Sequence, residues 1–128
     1  MSTTRSTPTV VAPASALLDA EKLDCYQVAL EFHVLAAPLA ARGDAVLRDQ
    51  LRRASLSVVL NTAEGAGQRS RPQKCRYYNI ARGSAMECAA IVDVLRLRRL
   101  ASSGECERAR ALLVRVVQML SKLDRSLS

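Results

Sequence analysis

Residues 50–65 read QLRRASLSVVLNTAEG. Wound as an α-helix, the run puts Leu51, Ala54, Val58, Asn61 and Gly65 at three- and four-residue steps, and Leu47 extends the row by one turn. That spacing makes one stripe on one face of a helix. No alternation of apolar and polar residues, as a half-buried strand requires, survives here or elsewhere over more than a few positions.

Working outward, the same periodicity recurs three times between short breaks. Arg42-Gly43-Asp44 precedes the run, with Gly43 placed to close one helix and Asp44 to cap the next, which spans about residues 45–66. The helix before it starts near Ala16 or Asp19 and reaches Ala41, carrying Leu23, Tyr26, Leu30 and His33 or Val34 in register. Pro38 lies inside it and is expected to kink or end it near Ala37. After Gly67-Gln-Arg-Ser-Arg-Pro72 a third helix runs to about Leu100 through Tyr77, Ala81, Ser84, Cys88, Ile91 and Leu95. Ser70 can cap it, or Arg71 can, in which case Pro72 takes the first helical position. Ser102 followed three residues later by Glu105 is a capping-box pattern. It starts a fourth helix that reaches Leu127 through Ala109, Leu113, Val116, Leu120 and Leu123.

Four helices joined by short breaks predict an all-α, up-down-up-down antiparallel four-helix bundle over residues 16–128. Composition agrees: 49% of residues are hydrophobic but only 3% are aromatic, and Gly and Pro number 5 and 4. The core is therefore built from Ala, Leu, Val and Ile, and the composition argues against a many-turned β-sandwich or barrel. Residues 1–15, rich in Ser, Thr and Pro, read as a tail that cannot bury enough surface to order itself. They match neither a secretory signal nor a membrane span, so a cytoplasmic protein with no membrane partner is expected. The four cysteines (25, 75, 88, 106) form no CxxC pair, and the lone His33 completes no zinc set; they read as reduced, mostly buried small hydrophobes.

Apolar residues exceed what one seam requires. Leu112, Val114, Val117 and Met119 on the fourth helix, and Ile80, Ala89, Ala90, Val92 and Val94 on the third, widen the stripe beyond roughly 100°. A second buried face supplied by other copies of the chain is the simplest explanation.

The QLRRA…S…N-T-A-E-G run from Gln50 to Gly65, followed by Ala81-Arg-Gly-Ser-Ala-Met-Glu87, resembles the bacterial four-helix bundle family that includes the 23S rRNA intervening-sequence proteins. That family is similar to Avd, the accessory protein of diversity-generating retroelements. The likeness spans about Leu23 to Leu127. Thr62 stands where the family usually has an aliphatic residue, and Lys74 and Cys75 replace bulkier apolar ones. The resemblance implies a homo-oligomeric ring, commonly a pentamer, with no catalysis and no cofactor. For the members closest to Avd it implies association with nucleic acid, RNA or DNA, and with a reverse transcriptase.

Two groups of residues are site candidates. Asn61, Glu64, Ser84 and Glu87 lie on or beside the inner stripes of the middle helices. They read as a hydrogen-bond network fixing helix register, because no ExxH motif accompanies the carboxylates and no metal set is present. The segment from Gly65 to Met86 carries Arg69, Arg71, Lys74, Arg76 and Arg82 against no acidic residue, +5 of the chain's net +7. Arginines beside a helix N-terminus can hold phosphates, and Tyr77 and Tyr78 can add stacking. A solvated loop with both tyrosines packed accounts for the same residues. His33 has no Ser or Cys partner at a recognisable spacing. Gly83, inside a helix, costs about 1 kcal/mol relative to alanine and implies close approach of a neighbouring helix.

Overall fold

In a computed structural model, which describes residues 16–127, a 3₁₀ turn at Asp19–Lys22 leads into four helices: α1 (Asp24–Ala41), α2 (Ala45–Gly67), α3 (Arg71–Leu97) and α4 (Ser103–Leu127). No strand occurs among the described residues. The expectation for residues 1–15 lies outside them.

Each boundary has a local cause. Asp44 caps α2 by accepting from the Leu47 amide at 3.0 Å. Ser70, rather than Arg71, caps α3, accepting from Gln73 N at 3.2 Å; Pro72 thus falls one position later than its preferred place. Both halves of the capping box form on α4: Glu105 N donates to Ser102 Oγ at 3.2 Å, and Ser102 N to Glu105 Oε1 at 3.0 Å.

α1 starts at Asp24, after the Asp19–Lys22 turn, rather than at Ala16 or Asp19, and three further expectations are revised. α1 runs on through Pro38 to Ala41. Proline there leaves the Val34 carbonyl without its helical donor, and Val34 lies on the exposed side of the helix, where water can take that place. α3 stops at Leu97, three residues early, because Arg99 takes a left-handed φ of 60° and Leu100 N reaches back to Leu95 O at 2.9 Å. Gly43 follows the end of α1 without a positive φ. Its lack of a side chain answers instead to Leu47, whose Cβ would stand 2.8 Å from an added Cβ.

Each helix packs on its sequence neighbours, and α1 packs on α4. One core draws on all four: Phe32, Leu39, Leu51, Val58, Leu95, Leu113, Val116 and Leu120 are among its buried members. The α4 row from Ala109 to Leu120 is buried as expected. On α1 the buried row is Cys25, Val28, Ala29, Phe32, Ala36 and Leu39. Leu23, Tyr26 and Leu30 pack only against its edge, and Val34 is exposed. Cys25, Cys88 and Cys106 are buried and Cys75 half-buried, all free. Burial pushes the Cys25 and Cys88 thiols up to about 12, which keeps them protonated and unreactive.

Two ion pairs tie the α1–α2 junction to the α3–α4 junction. Asp44 accepts from Arg98 at 3.2 Å, and Glu105 accepts from Arg42. The Arg42 guanidinium, with the Ser102 amide, holds the Glu105 carboxyl down at about 2. A carboxyl whose folded value lies below its unfolded one contributes stability that is present above about 4.5 and is lost as pH falls toward 2. Glu105→Gln is therefore expected to remove part of the acid limb of the stability curve between those values. Equal pH dependence in both proteins, measured by urea unfolding from pH 7 to 2, would contradict the assignment.

Candidate functional site

The polar positions of the middle helices meet through Ser57, a residue of the Gln50–Gly65 motif that was not among the four expected network members. Ser57 Oγ lies 2.7 Å from Ser84 Oγ, and Asn61 Nδ2 donates to both Ser57 Oγ and Ser57 O at 3.0 Å. The link joins α2 to α3, so Asn61 and Ser84 do share one network. Glu64 and Glu87 stand outside it on the surface, and Glu64 accepts from Gln68 Nε2 at 3.0 Å. Asn61 and Ser84 are themselves half-buried, and three residues further on the helix stands about 60° short of a full turn, which brings each carboxylate from the edge of the stripe to the surface. Among the described residues no three His, Cys, Asp or Glu side chains converge.

Thr62 is fully buried, and its hydroxyl donates to Val58 O at 2.7 Å, so the helix itself satisfies the one polar group that replaces an aliphatic side chain. His33 does have a partner, across 22 residues of sequence. Its Nδ1 lies 2.9 Å from Ser55 Oγ. Ser55 Oγ also lies 3.2 Å from Arg52 O, to which the hydroxyl can donate, so the serine links the imidazole to the α2 backbone. The pair stitches α1 to α2.

The basic segment is divided in its tasks. Arg69 and Arg71 are exposed around the N-cap of α3. Lys74 turns back to α2, where its Nζ donates to Ala66 O at 2.9 Å, near the helix end, and to Gly65 O at 3.3 Å, which also accepts from Gln68 N. The Arg76 guanidinium lies 5.5 Å from the centre of the half-buried Tyr77 ring. Arg82 Nε donates to Ser121 Oγ on α4 at 3.0 Å. Tyr78 is buried and offers no stacking face. Arg71 and Arg82 share one side of α3, while Arg76 is about 140° round from Arg71. The five residues thus spread over the α2–α3 turn and about the first three turns of α3 without forming a single stripe.

Gly65 lets these helices approach: an added Cβ would stand 2.7 Å from the Tyr78 ring and 3.3 Å from Lys74 O. Gly83 does not serve that purpose. A Cβ there meets nothing within 4 Å, which corrects the expectation of close approach inside the subunit. No described helix is long and apolar enough to cross a membrane.

Compared with known families, residues 21–122 match the model described as 23S rRNA-intervening sequence protein. No curated protein matches the chain.

Proposed function

This chain belongs to the 23S rRNA-intervening sequence protein family, and from that premise we propose that it is a non-enzymatic, self-assembling four-helix bundle of the cytoplasm whose helices alternate up and down and whose copies close into a ring. The observation that carries self-assembly is the apolar surface left outside the core: Leu56, Leu60, Ile80, Met86, Leu97 and Val114 are all exposed. Exposed large apolar residues are unremarkable singly, but Leu56 and Leu60, one turn apart on α2, and Met86 and Val114, on one groove between α3 and α4, are paired, and such patches mark an interaction surface. The Arg42–Glu105 and Asp44–Arg98 pairs, which bring alternate helix ends together, support the up-down order. A pentamer is the ring that the resemblance implies. Light scattering at micromolar concentration is expected to give a multiple of the 13.9 kDa chain mass.

A second reading, an accessory factor that binds RNA or DNA, is favoured by Arg69 and Arg71 flanking the α3 N-terminus, whose first amides attract anions. Arg76 over Tyr77 and the free guanidinium edge of Arg82 extend the basic end, and a ring multiplies it. A reverse transcriptase is the protein partner that the Avd likeness suggests. Binding of a labelled single strand is expected to fall steeply with salt. Arg69→Glu with Arg71→Glu is expected to weaken it about ten-fold or more at low salt. Unchanged binding, or none by the wild type at low salt, leaves the scaffold role alone.

A further inference from the structure

The surface carries two apolar features of opposite shape. On α2, Leu56 (43% exposed) and Leu60 (56%) form a ridge on the side opposite the buried Leu51, Val58 and Thr62. Between α3 and α4 runs an open groove of about 400 Å³ whose walls include Ala85, Ala89, Leu113 and Val117, with Met86 (53% exposed) and Val114 at its rim.

Charges bracket both in a matching order. Along α2 the row is Arg53, Leu56, Leu60, Glu64, in steps of three, four and four residues. Read backwards along α3, the groove edge is Asp93, Ala90, Met86, Arg82, again in steps of three, four and four. Eleven residues span about 16 Å on either helix. An α2 laid antiparallel along the α3 edge of another copy therefore sets Arg53 beside Asp93, Leu56 on Ala90, Leu60 on Met86 and Glu64 beside Arg82. The parallel orientation would set Arg53 near Arg82 and Glu64 near Asp93, two like-charged contacts. None of these four charged residues forms an ion pair with another described residue. Gly83, open to solvent within its own subunit, sits next to this row and leaves room for a partner helix.

We infer that the α2 ridge of one copy docks antiparallel into the α3–α4 groove of a second copy. The inference rests on the self-assembly proposed above and adds which two surfaces meet. Because ridge and groove are different faces of one subunit, the contact is heterologous and repeats from copy to copy, closing a ring where the rotation permits.

Leu60→Asp blocks the ridge and Met86→Asp blocks the groove, both at exposed positions. Each variant alone is expected to sediment at the monomer mass, and a mixture of the two to form a one-to-one dimer and nothing larger, since one intact ridge meets one intact groove. Should either substitution disturb folding, as judged by circular dichroism, the charge pair decides. Arg53→Asp or Asp93→Arg alone is expected to weaken association about ten-fold or more, and the two together in one chain to restore it. A wild type that self-associates while the mixture stays monomeric and the charge swap has no effect overturns the docking mode and leaves self-assembly standing. A monomeric wild type removes both.

Discussion

Phe32→Ala is expected to lower the unfolding free energy by about 3–5 kcal/mol. Phe32 is the only phenylalanine in the chain and is 0% exposed. It lies in a core otherwise rich in small side chains: Ala29 and Ala36 flank it on α1, and Ala54, Ala81, Ala85 and Ala109 are buried on the other helices. Alanines fixed to helix backbones cannot swing inward to fill the space a lost ring leaves, so the cavity term adds nearly in full to the transfer term. Domains of this size have about 5–15 kcal/mol in hand, so the loss is a large fraction of the total. The melting temperature is expected to fall by roughly 10–20 °C. Val46→Ala, at an exposed α2 position, should stay within about 0.5 kcal/mol. Urea unfolding decides: a loss under about 1 kcal/mol at Phe32 would mean that this side chain is not packed as described.

Two helical glycines are expected to respond to alanine with opposite signs. At Gly65 the new methyl meets the Tyr78 ring at 2.7 Å, and Tyr78 is itself buried, so the ring cannot turn aside without displacing its neighbours. Overpacking of that kind costs about 1–3 kcal/mol, against which the better helix propensity of alanine returns at most about 1. At Gly83 the methyl meets nothing, and propensity alone remains, stabilising the isolated subunit by up to about 1 kcal/mol. The propensity gain is common to both, so the two variants should differ by the overpacking cost, about 1–3 kcal/mol, in denaturant midpoint converted to free energy. Equal effects would contradict the close α2–α3 crossing at Gly65.

How much of this was legible in the sequence differs by helix. α4 could be read directly: its polar residues separate cleanly from Ala109, Leu113, Val116 and Leu120, and its capping box needs only local geometry. α1 could not. Asp24–Ala41 is apolar on nearly every side, so a row through Leu23, Tyr26 and Leu30 fits the period as well as the true row through Phe32. Which row faces inward is set by the other helices. The same holds for the candidate sites. Asn61 and Ser84 were marked by being polar on apolar stripes, but nothing local to Ser57, between Leu56 and Val58, says that it bridges them. Ser55 carries no local signal that it meets His33, and Lys74 reads as one more cation until its amine is found on the last carbonyls of α2.

The account depends on copies of this molecule covering the apolar faces that one subunit leaves in water, and sedimentation equilibrium of the wild-type chain over a micromolar concentration range tests it most directly. The predicted result is a closed assembly whose mass is a whole multiple, five by family likeness, of 13.9 kDa and which stays constant as concentration rises. A species that remains at the mass of a single chain throughout the range would contradict it.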